Sequence, residues 1–565
     1  MSILAALVLT VAACGSGDDA DDAAGQTSSE SAGGSTDDGD GDGEERADDA
    51  AEALDAADDE DAEAGFGQLA GADEGAAPAT TTAQSREADR GGADAAADAA
   101  TGEAANGGFF APEPPQDDTT AEFADYGVRP FVETDRDPTS TFALDVDTGS
   151  YALARRWLES GSIPPPEAVR VEEFVNSFRY EYRAPSDGLA VQADAGPSPF
   201  DADNVIVRLG VQAERVANAE RPDAALTFVV DTSGSMDRVD RLGLVKTALT
   251  RLVGELDGGD TVSIVTYSDE ARVLLEPTPV SRRGEIVDAI DALRPTGSTN
   301  LEAGLRRGYE LAEADQRRGG INRVVLASDG IANVGLTDPD GLSRLIRGSA
   351  DRGIQLVTVG VGMGGFNDEL MEQLADRGDG FYAYVDDVAE AERLFGDELV
   401  STLLTVAIDG KIQVEFDADT VARYRLIGFE NRAVLDDDFR NDAVDAGELG
   451  AGHQVTALYE LTLRPGVDRD RDRSLGTVRL RWEDPDDRSV DETSLPLDLT
   501  MVTERWDRTD RDFRLAVTVA AWAELLRNSP HVGDVTMDQV LAEAESLSTG
   551  TGAVAELTEL IAISR

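Results

Sequence analysis

Residues 225–230, Ala-Leu-Thr-Phe-Val-Val, form a largely apolar run that an acid, Asp231, interrupts. A run of this length reads as a buried strand that delivers a carboxylate to its C-terminal end. The acid opens a D-x-S-x-S pattern made by Asp231, Ser233 and Ser235, and a helical pattern follows over 241–256. Strand, polar loop and helix in that order is how open α/β sheets bind ligands, outside the carboxyl ends of their strands. One carboxylate and two hydroxyls are hard oxygen donors, which suit Mg²⁺, Mn²⁺ or Ca²⁺. Two further loops offer partners. Thr299 lies in Gly297-Ser298-Thr299-Asn300, ahead of a helical run at 301–316, and Asp329 closes a second strand-like run at 323–330.

These three parts, in this order, resemble the metal-ion-dependent adhesion site (MIDAS) of von Willebrand factor type A (VWA) domains. The resemblance implies that Ser233, Ser235 and Thr299 touch the metal directly, while Asp231 and Asp329 hold it mainly through water. Few carboxylates then contact the ion, so it can accept a carboxylate from a partner. The competing reading is structural, because Ser, Thr and Asp also favour turns and helix starts.

The chain around the motif divides by pattern. Strand-like runs and helical runs alternate over 221–403, which predicts a mostly parallel, doubly wound Rossmann-like sheet covered on both faces. Alternating runs lie before it, within 191–216, and after it, at 411–416, 422–429, 455–462, 476–482 and 495–502. Their period of two predicts strands with one buried and one wet face. The expected architecture is a β-sandwich built from 123–220 and 404–565, with the α/β domain inserted and C-terminal helices at 512–527, 537–546 and 553–563. Trp522 and Met537 on those helices read as core. Segments 140–182, 362–376, 424–432 and 445–453 resemble the bacterial VWA-domain lipoproteins. Asp145-Val146-Asp147-Thr148 also looks like the start of a haloacid-dehalogenase phosphatase motif, but Gly149 departs from it. Asp147 is therefore expected to be a turn or helix-cap acid.

The N-terminal part reads differently. Residues 3–13 are apolar but short for a membrane span, and Val11-Ala12-Ala13-Cys14 resembles a bacterial lipobox, which implies acylation of Cys14. The segment 1–14 departs from signal peptides in placing no Lys or Arg ahead of its apolar run. Residues 15–122 carry roughly thirty acids against about three bases and are expected to be a disordered tether. The expected location is exported, lipid-anchored on the cell membrane or outer membrane. The whole chain has 565 residues and a formal charge of −64. Such acidity excludes nucleic acid as a partner and electrostatic docking on anionic lipid.

The sequence offers little for an enzyme. Its two histidines, His453 and His531, fall outside 221–403, no nucleophile elbow surrounds Ser233 or Ser235, and no phosphate-binding loop with lysine is present. The favoured reading is an exported binder of a protein or envelope ligand that offers a carboxylate. An envelope scaffold with a structural metal is the alternative, a metal-dependent hydrolase the less favoured one. A chaperone-like role would need a cytoplasmic body. Oligomeric state is not legible.

Overall fold

The computed structural model describes residues 123–565, apart from 331–338, 363–367, 442–443, 445, 469–471 and 486. The expectations for Cys14 and for the tether lie outside the described residues. At the centre is a six-stranded sheet. Its strands run, in spatial order, Tyr382–Val385, Gln355–Val361, Ile321–Ser328, Ala224–Asp231, Thr261–Tyr267 and Ala271–Pro279. Neighbours are parallel except the last pair, an antiparallel edge.

All eight residues of Ala224–Asp231 are buried. The pleat sends Leu226, Phe228 and Val230 into one core and Val229 into the core on the opposite face. Helix Leu301–Ala314 comes very close to the second face. A Cβ at its Gly308 would lie 2.3 Å from Val229 Cγ2, so only glycine fits. The chain leaves Ala224–Asp231 toward one side of the sheet and later crosses to Ile321–Ser328 on the other. The switch point between these two strands opens a crevice at their carboxyl ends.

Strands before and after this domain pair with each other, as the sandwich expectation requires. One sheet runs Val132–Glu133, Val421–Ile427, Gln454–Leu463, Asn204–Ala213, Leu189–Pro197. In it Val211 faces Val455, and Val207 faces Tyr459. The second sheet holds Leu449–Gly450, Thr405–Phe416, Ser474–Glu483 and Val490–Asp498, with Thr139–Ala143 added against Thr405–Phe416. Their inner faces share one core.

The expected wet face is absent from Asn204–Ala213, whose ten residues are all buried. Helix Arg511–Leu526 covers the outside of that sheet, and Ile206, Ile427 and Leu458 pack there with Trp522 and Phe174. Met537 packs at the edge of the same cluster.

Asp147 does not cap a helix. Helix Gly149–Glu159 has no side-chain cap from Thr148. The Asp147 carboxylate instead accepts from Tyr382 N (3.3 Å) and Arg432 Nη2 (3.1 Å), tying the N-terminal segment, the central sheet and the C-terminal strands together. His453 lies in the turn before Gln454–Leu463, where burial holds its imidazole down to about 4.

The sandwich also buries charge. Arg425, fully buried, reaches Glu460 (3.1 Å) and Glu524 (3.3 Å), both buried. Removing one partner of such a group strands the other charges in a dry interior. Arg425→Ala should therefore cost about 3–5 kcal/mol, read as a lower urea midpoint. A loss below about 1 kcal/mol would show that the acids find other compensation.

Candidate metal centre

The three loops meet where the crevice opens. Asp231 ends its strand, and Asp329 directly follows the parallel neighbour Ile321–Ser328. The Thr299 loop is laced to the first loop through backbone. Thr296 N donates to Thr232 O (2.6 Å), and Gly234 N donates to Gly297 O (3.0 Å). Asn300 N donates to Ser268 O (2.8 Å), and the Asn300 side chain caps helix Leu301–Ala314 by accepting from Ala303 N (3.1 Å). The sequence therefore builds the loop from a turn followed by an N-cap.

Within this frame Asp231, Ser233, Ser235 and Asp329 come together, while Thr299 is placed beside them only through the backbone of its loop. The Ser233 and Ser235 hydroxyls share a hydrogen bond of 2.9 Å. Ser233 N donates to Asp231 Oδ1 (2.8 Å), and Ser328 Oγ donates to Asp231 Oδ2 (3.0 Å). Asp231, Ser233, Thr299 and Asp329 are buried and Ser235 is half-buried, so the site opens to solvent on the Ser235 side. Among the described residues no three His, Cys, Asp or Glu side chains form a metal cluster. The donor set is two carboxylates with hydroxyls, a mixture that fits a hard divalent cation.

Burial pushes Asp231 up to about 6, and the neighbouring Asp329 charge adds to the rise against the opposing hydrogen bonds from Ser233 and Ser328. The chain thus stores negative charge where water cannot solvate it, and a cation would relieve the cost.

Three contributing residues escaped the sequence reading. Ser328 orients Asp231. Asp269, exposed just past the Thr261–Tyr267 strand, accepts from Ser298 N (3.0 Å) and Ser298 Oγ (2.5 Å), which fixes the Thr299 loop. Its Oδ2 would lie 2.5 Å from a Cβ at Gly297, whose φ of +71° also demands glycine. Asp269 stands at a strand's carboxyl end, a position that could have marked it. Arg241, which sequence periodicity places simply on a helix, is buried with its Nη1 2.5 Å from Asp329 Oδ2.

Family models match most of the described chain. The von Willebrand factor type A domain model covers residues 225–397, a von Willebrand factor model covers 117–208, and a model of the C-terminal region of the uncharacterized protein YfbK covers 401–565. The uncharacterized protein YfbK of Escherichia coli (strain K12) is 36% identical over 445 residues, which is 74% of this chain and 76% of that protein. The chain belongs to the bacterial VWA-domain family that includes YfbK. Another relative of this VWA-domain chain, the uncharacterized protein sll0103 of Synechocystis, is 24% identical over 327 residues, 56% of this chain and 75% of its own. A solved von Willebrand factor type A structure from Catenulispora acidiphila aligns over 65% of this chain and 88% of its own, at 16% identity and a TM-score of 0.40.

The raised Asp231 has a measurable sign. Its folded-state value of about 6 lies above the ordinary 3.8, so its contribution favours folding when protonated and is lost as pH rises through about 6. In chelator at pH 7.5, Asp231→Asn in this VWA domain should be more stable than the natural chain, by up to about 3 kcal/mol. The gap should close below about pH 4. Urea denaturation of both proteins across pH checks this, and an Asn variant that is less stable at pH 7.5 contradicts it.

Proposed function

We propose that this chain is an envelope-tethered binding protein that captures an acidic group on a protein or envelope component through a divalent cation. Membership of the VWA family supports a protein-interaction role. The observation that carries the metal-dependent reading is the pairing of two buried acids, Asp231 and Asp329, with the linked hydroxyls of Ser233 and Ser235 at a sheet switch point. Ser233, Ser235 and Thr299 would hold the ion directly, with Asp231 and Asp329 behind them. The bound ion, Mg²⁺ or else Mn²⁺ or Ca²⁺, supplies a Lewis-acidic position for a carboxylate oxygen.

The chain's own residues do the rest. Backbone bonds between the 232–234 and 296–297 segments hold the hydroxyls in one place, and Asp269 stiffens the loop that carries Thr299. Binding is favoured over catalysis because membership of the VWA family supports a protein-interaction role, and both histidines lie in the flanking regions. The lipobox-like Val11-Ala12-Ala13-Cys14 and the acidic stretch at 15–122 support a lipid anchor and a flexible spacer.

Affinity capture from membrane extracts in Mg²⁺ tests the reading. A partner should be retained by the full chain, released by chelator, displaced by excess acetate, and absent with Asp231→Ala. The same partner held equally well in chelator would make the contact independent of the metal and favour a scaffold. In cell fractionation, Cys14→Ser should move the protein from the membrane to the soluble fraction, and unchanged membrane retention would remove the anchor.

A further inference from the structure

Arg241 follows the D-x-S-x-S loop in a widened π-helical turn, Val239–Gly243, before helix Leu244–Glu255 begins. Such widened turns recur at functional sites. Its guanidinium is buried and bridges two of the site's loops with one nitrogen. Nη1 lies 2.5 Å from Asp329 Oδ2 and 3.1 Å from the Ser235 carbonyl oxygen. The side chain crosses the backbone at Gly362, where a Cβ would stand 2.6 Å from Arg241 Nε. The preceding residue, Asp240, is held from outside the central domain by Arg156 of helix Gly149–Glu159, at 2.8 Å.

The charges of the site follow by addition. Asp231 and Asp329 bring two negative charges, and Arg241 brings one positive charge. With two acids alone, a divalent cation would be held tightly and fully neutralised. With Arg241 on Asp329, the buried part of the loaded site is one charge more positive than the two acids alone would leave it, the exposed Asp269 being solvated in either case. We propose that Arg241 sets the charge of the metal site, occupying Asp329 so that the cation is held more weakly but attracts an incoming carboxylate more strongly. This rests on the metal-dependent reading above and makes Arg241 a positioning residue that selects acidic ligands.

Mn²⁺ titrations followed by electron paramagnetic resonance test it, with acetate as the carboxylate probe on the Mn²⁺-saturated full chain. Arg241→Met should bind Mn²⁺ on the order of ten-fold tighter and acetate on the order of ten-fold weaker than the natural protein. Arg241→Lys keeps the charge and should stay within about three-fold of it in both. Arg241→Gln, neutral but still able to donate to Asp329, should follow Arg241→Met and carries the test if the methionine variant does not fold. Folded neutral variants that bind Mn²⁺ no tighter than the natural chain would overturn the proposal. So would a lysine variant that shifts as far as the neutral ones, because Arg241 would then be a strut. A natural chain with no saturable Mn²⁺ binding is a different result, which removes the metal reading itself and this inference with it.

Discussion

Two adjacent parallel strands end in acids, and the fold gives neither acid to water. Asp231 and Asp329 are both buried at the switch point of the central sheet. A carboxylate in such a place must be hydrogen-bonded, paired or protonated. Each nearby feature meets part of that demand. Ser233 N and Ser328 Oγ satisfy Asp231, and Arg241 neutralises Asp329. Burial still holds Asp231 well above its ordinary range. The remainder of the demand is what a divalent cation would meet, and the neighbouring hydroxyls are the donors that could hold one.

The central domain is fastened to its flanking body by buried charge. Arg432 of the C-terminal region reaches Asp145 (2.9 Å) and Asp147 of the N-terminal region, and also Glu372 on a helix of the central domain. Arg155 Nε reaches Asp386 (2.8 Å), past the last central strand, and its Nη1 reaches Glu556 on the final helix (2.9 Å). Arg323, near the start of a central strand, donates to Leu403 O (3.0 Å) and Thr405 Oγ1 (2.8 Å). Buried ionic contacts add little net stability but penalise any arrangement that breaks them. They penalise any other seating of the central domain on the sandwich, and the Arg155–Asp386 pair does so at the same end of the sheet as Asp231.

Much of this was legible because it depends on local pattern. An apolar run ending in an acid is enough to place Asp231 at a strand end, and the Ser and Thr spacing is enough to nominate the loops. The period of two within 191–216 and at 455–462 was sufficient to expect a sandwich interrupted by an insertion. What stayed hidden depends on partners distant in sequence. Residues 204–213 lose their wet face only because a helix some three hundred residues later covers it. Asp147 looks like a cap in isolation, and its real partners, Tyr382 and Arg432, lie over two hundred residues away. Arg241 fits a helical pattern, and nothing in that pattern says that a widened turn aims it at Asp329.

A crystal grown in millimolar Mn²⁺ and measured at a wavelength where manganese scatters anomalously addresses the central claim most directly. The account predicts one strong peak about 2.0–2.3 Å from the hydroxyl oxygens of Ser233, Ser235 and Thr299. It also predicts that Arg241 remains on Asp329. A crystal with no peak there, its Ser233 and Ser235 hydroxyls still bonded to each other and Thr299 turned away, would contradict it.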